Sequence, residues 1–265
     1  MPTLVLPARY SGDSNALWQA AIAAGWRTER VMRLGEAGDL GPRLAGDEVV
    51  IYGDTLTADA VAGACGLALL EPDAGWLPGL PEPLRRRAVR LVTLAEARAL
   101  PGPIFAKPVD DKLFPARVYE VIDVDPGVGD DLLVLVAEPV RFTVEARAFV
   151  CEGSIVALSA YIRGGALARD ADGEWPLRAD EEAAARECLG RCLAGAAVPP
   201  AVVIDVGAIE GRGWAVVEAN PIWASGLCGA DPRAILPALR RACLPASAVQ
   251  EADRPWLRTR RTIVG

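Results

Sequence analysis

Lys107 and Lys112 are the only lysines of the chain, and both lie in the segment FAKPVDDKLF, after a short apolar run. All the other residues among its 28 basic side chains are arginines. A lysine ammonium is a compact point charge, whereas arginine presents a planar fork. The exception at these two positions therefore indicates a need for an ammonium. Two cations at a strand end are costly unless an anion lies there, and a polyphosphate is the natural partner.

A second candidate for chemistry is a short hinge that follows an apolar strand predicted over 132–137. The hinge comprises Glu138 to Val140, and Glu145 follows Glu138 by seven residues. Free backbone groups at such a hinge can bind an adenine edge, and Glu145 can accept hydrogen bonds from ribose hydroxyls. The alternative is that Glu145 and Arg147 only pair with residues on neighbouring strands.

The third candidate is a set of oxygen-bearing side chains in an apolar hairpin whose turn lies at 210–213. Asp205 lies on the first arm, and Glu218 and Asn220 share one face of the second arm because they are two residues apart. Carboxylates in apolar strands need compensation, which a hard cation such as Mg²⁺ supplies. Ordinary cap and turn chemistry is the alternative.

Two arginines lie near these groups. Period-two spacing places Arg147 on the same strand face as Glu145, and Arg163 ends the neighbouring strand. The polar, glycine-containing stretch 164–174 that follows Arg163 has the composition of a mobile lid, with an ordinary surface loop as the alternative.

The composition excludes several other classes of function. A net charge of −7 argues against general nucleic-acid binding and against binding to anionic membranes. The chain has no histidine, which removes Ser-His and Cys-His nucleophile systems. Its six cysteines form no CxxC pair, so a zinc site is not predicted. No membrane-length apolar run and no signal peptide are visible, so we expect a cytoplasmic protein.

The elements that must position these residues fall into two patterns. Strands and helices alternate over the first seventy residues, which predicts a small parallel α/β unit. Residues 71–83 are rich in proline and predict a linker, and the alternating strands after residue 132 predict an antiparallel sheet. With 265 residues, 52% of them hydrophobic, the chain can bury a sizeable core.

The motifs FAKPVDDKLF, VEARAFV, IDVGAIEGRGWAVVEANP and IWASGLCGADP, in this order, resemble the ATP-grasp superfamily, and in particular its clade named for two arginines and one lysine. The resemblance extends over residues 84–240. It implies an α/β (α+β) fold in which two α+β lobes clasp ATP, preceded by a small parallel α/β pre-ATP-grasp domain. The implied divisions are 1–83 for the pre-ATP-grasp domain, 84–138 for the small lobe, 139–245 for the large lobe with the metal site, and 246–265 for a C-terminal tail.

The resemblance also implies a nucleotide site. Lys107 and Arg87 are expected to contact the phosphates of ATP. Glu138 and Val140 are expected to meet adenine through their backbone, and Glu145 is expected to bind the ribose.

Metal and catalytic roles complete the implied site. Asp205, Glu218 and Asn220 are expected to hold one or two Mg²⁺ ions. Arg147, Arg163 and Lys112 are the expected catalytic cations, with Arg163 at the transferring phosphoryl group. Many relatives cover the phosphates with a glycine-rich loop, which is missing after Lys107, and Lys112 is expected to take its place.

The function that this resemblance implies is an ATP-dependent carboxylate-amine ligase working through an acyl phosphate, on small-molecule or peptide substrates. An ATP-grasp phosphotransferase and a non-catalytic nucleotide-binding module are the alternatives. A dinucleotide site in the N-terminal unit is disfavoured because no GxGxxG follows its first strand. The sequence gives no prediction of the oligomeric state.

Overall fold

The N-terminal unit is built on three parallel strands. The computed structural model describes residues 1–109, 113–125 and 127–259. The strand order is β2-β1-β3, and the buried apolar run of β1 forms the centre. Ser11 and Ser14 form a capping box that starts the first helix, so this helix begins before the predicted Asn15. The elements are β1 (Pro2–Pro7), α1 (Gly12–Ala23), β2 (Arg27–Val31), α2 (Ala37–Arg43), β3 (Glu48–Ile51) and α3 (Thr55–Cys65).

The linker after this unit contains short elements, where the sequence predicted a loop. Beyond it, a four-stranded antiparallel sheet with the order β5-β8-β6-β7 forms the small lobe. The elements of this part are β4 (Leu67–Leu69), α4 (Trp76–Gly79), α5 (Glu82–Arg85), β5 (Val89–Thr93), α6 (Leu94–Arg98), β6 (Ile104–Pro108), β7 (Arg117–Tyr119) and β8 (Leu133–Ala137).

A five-stranded antiparallel sheet with the order β11-β10-β9-β12-β13 forms the large lobe. Part of the predicted lid is the short strand β11, which pairs back onto β10. The elements are β9 (Phe142–Cys151), β10 (Ser154–Arg163), β11 (Ala166–Leu167), α7 (Ala179–Gly195), β12 (Ala201–Ile209), β13 (Gly213–Asn220), α8 (Pro232–Ala242) and β14 (Cys243–Pro245).

The two faces of this sheet have different neighbours. Ala146 and Ala148 of β9 belong to the core that contains Leu189 of α7. Phe149, one position along, belongs to the core that contains α8 and the N-terminal unit. Alternation along the strand therefore turns Glu145 and Arg147 away from α7.

The described part of the C-terminal tail packs back onto the N-terminal unit, which its polar sequence did not predict. Strand β14 pairs with β4, and Leu257 bridges to Leu70. Arg258 forms ion pairs with Asp59 and Glu71. None of the helices within the described ranges has the length and apolar character that crossing a bilayer requires.

Candidate functional site

A buried ion pair lies at the centre of the large-lobe sheet. Arg147 and Asp205 occupy facing positions on β9 and β12. Nε and Nη2 of Arg147 donate to the two carboxylate oxygens of Asp205 at 2.9 and 2.7 Å. Nη1 donates to the carbonyl of Gly226 at 3.3 Å, and the guanidinium lies 3.9 Å from the ring centroid of Tyr161. Arg147 is therefore held on every side.

Both members of this pair are charged at neutral pH. Burial raises the pKa of Asp205 to about 6 against the opposing effect of Arg147. Burial by itself disfavours the charge of Arg147, but the Asp205 carboxylate holds its pKa above the usual range. The pair is a neutralised, two-point contact in a dry environment.

A second ion pair joins the two lobes. Lys107, on β6 of the small lobe, donates to Glu218 of β13, and both side chains are more than a quarter exposed. Asn220 donates to the other oxygen of Glu218 at 3.0 Å and approaches Asp205 at 3.4 Å. Burial raises the pKa of Glu218, but the ammonium of Lys107 and the amide of Asn220 outweigh it and hold that pKa below its usual range.

A cleft of about 460 Å³ extends from this ion pair to the hinge after β8. At the hinge end, the N–H of Glu138 donates to Ala88, and its carboxylate accepts from Arg212 at 2.6 Å. Within the described chain, neither the carbonyl of Glu138 nor the N–H of Val140 has a hydrogen-bond partner. These two groups are available to the edge of a planar ligand.

Glu145 lies in the cleft wall between the hinge and the ion pair. Burial, with repulsion from Asp205 and Glu218, raises its pKa to about 7. Gly207 faces it on β12, and a Cβ at this position would come within 2.7 Å of Phe142 and 3.1 Å of the Glu145 side chain. A glycine is therefore needed for Glu145 to take this position.

Arg87 lies in the same cleft but binds the protein backbone. It donates to the carbonyls of Val216 and Val217 at 2.8 and 2.9 Å. The second carbonyl is accessible because Val217 is the extra residue of a bulge between β12 and β13. Burial lowers the pKa of Arg87 to about 10, which leaves it charged. These contacts tie the start of the small lobe to β13, and the predicted phosphate contact stays a prediction.

Arg163 does not join the cluster. The strand pairing skips Tyr161, so Ile162 faces Glu145 and Arg163 is turned to the opposite side of the sheet. There it binds both oxygens of Glu181 at 2.7 and 2.8 Å. The spacing of the sequence, read without a bulge, had placed it beside the other cations. Lys112 lies outside the described residues, so its predicted role stays a prediction.

The predicted metal ligands differ in what they can offer. Asp205 is fully buried and gives both oxygens to Arg147, so the structure assigns it a different partner from the predicted Mg²⁺. Glu218 and Asn220 both line a cavity. No group of three or more carboxylate, thiol or imidazole side chains placed to hold a metal occurs among the described residues. Mg²⁺ is commonly bound by one or two carboxylates plus substrate phosphates, and Glu218 with Asn220 fits that pattern.

Solved structures with a similar chain course are ATP-grasp proteins. An ATP-grasp RimK domain protein from Sphaerobacter thermophilus shares 17% identity, with 88% of this chain and 98% of that chain covered and a TM-score of 0.48. N5-carboxyaminoimidazole synthetase from Staphylococcus aureus, complexed with ADP, shares 12%, with 92% and 78% covered and a TM-score of 0.48. The ATP-grasp ligase PsnB, complexed with its precursor peptide PsnA2 and AMPPNP, shares 16%, with 86% and 90% covered and a TM-score of 0.46.

A search of curated proteins found no match. The model of the second ATP-grasp domain family in the clade named for two arginines and one lysine matches residues 84–238, which is more than half of the chain. The match spans both lobes, the hinge and the two ion pairs. The chain has the ATP-grasp fold and belongs to this two-arginine, one-lysine clade of ATP-grasp proteins.

Proposed function

We propose that the protein is an ATP-dependent carboxylate-amine ligase that works through an acyl phosphate. The observation that carries this proposal is the Lys107–Glu218 ion pair, which joins the two lobes at the end of a cleft whose other end is a hinge with free backbone groups. The cleft thus has a planar-ligand end and a charged end, as a nucleoside triphosphate requires.

Each part of ATP has a partner in this cleft. The free carbonyl of Glu138 and the free N–H of Val140 suit the donor and acceptor on the adenine edge. Glu145 lies next along the wall, where it can hydrogen-bond to ribose hydroxyls. Lys107 supplies the positive charge for the phosphates, as a point charge typical of phosphate binding.

Without nucleotide, Lys107 and Glu218 neutralise each other. Phosphates compete for the ammonium of Lys107, and this frees Glu218 to serve with Asn220 as the metal ligands. Bound Mg²⁺ would neutralise the charge on the phosphates. The internal ion pair therefore keeps both groups at their working positions and avoids leaving either charge unpaired in a partly buried site.

In the proposed reaction, a substrate carboxylate oxygen attacks the terminal phosphorus and ADP leaves. An amine nitrogen then attacks the acyl carbon and phosphate leaves. The protein supplies positioning and charge neutralisation, which provide most of the rate in phosphoryl transfers. Arg147 sets the shape of this site through Asp205 and Gly226, while Arg163 and Lys112 stay predicted contributors.

The test uses a substrate carboxylate labelled with heavy oxygen. N-acetyl amino acids serve as carboxylates and amino-acid amides as amines, so that each probe has one possible role. We expect ADP, phosphate and an amide to form together, with one labelled oxygen in the released phosphate. A stable phosphorylated hydroxyl product, or phosphate without the label, would favour a phosphotransferase instead. ATP binding without any turnover would favour a nucleotide-binding module.

A further inference from the structure

A second cavity, of about 250 Å³, lies beside the nucleotide cleft. The two spaces share Lys107 and Glu218 in their walls, and they also share Leu77 and Leu135. The hinge residues Glu138 and Val140 line only the first space. The Lys107–Glu218 ion pair therefore separates the adenine end of the cleft from the second cavity, and the last phosphate of a nucleotide held by Lys107 faces that cavity.

The charged residues at this second cavity have an excess of carboxylates. Arg258 of the tail lies in its wall, but its guanidinium is already matched by two carboxylates. Its Nε and Nη2 bind Asp59 at 2.7 and 3.0 Å, and its Nη1 binds Glu71 at 3.0 and 2.8 Å. Neutralisation of one cation by two anions leaves a net negative charge at this wall.

Asp73 adds a further negative charge to the same cavity. One of its oxygens accepts from the backbone N–H of Gly75, and the side chain forms no ion pair with any described residue. A carboxylate with remaining acceptor capacity attracts a cation, and an ammonium group satisfies it with charge-assisted hydrogen bonds.

The remaining walls of the cavity are apolar. They include Trp76, Leu77, Pro72, Pro221 and Trp223. The volume is below the range of about 300–1,000 Å³ that is typical of pockets for drug-sized ligands. The cavity thus suits a small molecule that carries a cationic group and an apolar portion.

We propose that this second cavity binds the amine substrate, a small primary amine with an apolar side chain, and that Asp73 holds its ammonium group. The inference depends on the proposed ligase function. The ammonium loses one proton to solvent, the nitrogen bonds to the acyl carbon, and the bond between that carbon and the phosphate oxygen breaks. The second proton from nitrogen leaves with the phosphate, which balances the step.

The experiment compares amino-acid amides, which have an amine but no free α-carboxylate, in assays that release phosphate from ATP and an N-acetyl amino acid. We expect leucinamide to be a better substrate than the α-amide of aspartic acid, whose acidic side chain is repelled by Asp73. Asp73→Asn should raise the KM for leucinamide about tenfold while the KM for ATP stays constant, because a charge-assisted contact is lost.

Asp125→Asn is the matched control. Asp125 accepts from the N–H of Gly127 two residues on, as Asp73 does from Gly75, but it lies outside the cavity. We expect the control to retain the wild-type KM for leucinamide. Amine-dependent turnover with an unchanged amine KM in Asp73→Asn, or an altered KM only for the carboxylate, would overturn the inference and leave the ligase proposal standing. Absence of phosphate release with every amine would instead overturn the ligase proposal.

Discussion

The guanidinium of Arg147 lies in a two-point contact with the carboxylate of Asp205, across two adjacent strands in the centre of the large-lobe sheet. Both side chains are almost completely inaccessible to solvent, at 7% and 0% exposure. Charges in such a place are tolerated only as a pair, because each would otherwise keep its full desolvation penalty.

We therefore expect Arg147→Met to lower the free energy of unfolding by about 3–5 kcal/mol, since it leaves Asp205 buried without its cation. The double variant Arg147→Met with Asp205→Leu should lose less, because neither charge remains. Urea unfolding measures both. The exposed pair Arg141–Glu210 is the control, and Arg141→Met should cost about 0–1 kcal/mol. A double variant as unstable as the single one would show that the sheet needs the pair for another reason.

Removal of the ammonium at Lys107 should abolish nucleotide binding. Lys107→Ala removes the positive charge at the inner end of the cleft, and we expect ATP affinity to fall by about tenfold or more, with turnover lost. Calorimetric titration of ATP, together with circular dichroism to confirm the fold, measures this. Arg98→Ala removes an exposed cation from the same lobe and should leave ATP affinity unchanged. Wild-type affinity in Lys107→Ala would contradict the assignment of the cleft.

The carboxylate of Glu218 should be needed for turnover rather than for the fold. Glu218→Gln keeps the shape but removes the charge of a proposed metal ligand, so turnover should collapse and recover partly at higher Mg²⁺. Steady-state phosphate release over a series of Mg²⁺ concentrations measures this. Glu210→Gln, in the turn of the same hairpin, is the control and should behave as wild type. Normal turnover of Glu218→Gln at low Mg²⁺ would make the residue structural.

The raised pKa of Glu145 predicts a specific dependence of stability on pH. The folded protein keeps the Glu145 proton up to about pH 7, whereas the unfolded chain releases it near the usual value of 4.5. Between these values the folded state binds more protons, so the stabilisation that is complete below pH 4.5 is lost as the pH rises through 7.

Glu145→Gln removes this titration. We expect its unfolding temperature to gain on that of the wild type as the pH rises from about 5 to about 8, as measured by thermal scans across this range. Asp205, with a pKa raised to about 6, weakens both proteins alike, so the difference reports Glu145. A difference that stays constant with pH would show that Glu145 is ionised throughout.

The position of Arg163 predicts a structural rather than a catalytic phenotype. Arg163→Gln breaks its contacts with Glu181 at the start of α7, and a partly exposed pair of this kind contributes about 0–1 kcal/mol. Turnover and ATP affinity should therefore stay near the wild-type values while the unfolding temperature falls slightly. A loss of turnover as large as that of Lys107→Ala would show that Arg163 reaches the phosphates in a closed state.

The sequence by itself determined the family and several members of the cleft. The two lysines stand out because arginine fills the other basic positions, and Glu218 with Asn220 stands out because paired oxygen ligands are rare in an apolar strand. The alternation of strands and helices predicted the parallel N-terminal sheet. These are local patterns, in which spacing along the chain fixes the face on which a side chain lies.

Only the tertiary structure decided which charges meet. The register of β9 against β12 gives Asp205 to Arg147, and that register depends on pairing between segments about sixty residues apart. One bulge residue, Tyr161, turns Arg163 to the other face, and a second, Val217, opens a carbonyl to Arg87. Bulges and long-range register arise from the packing of whole sheets, so no short pattern in the chain predicts them.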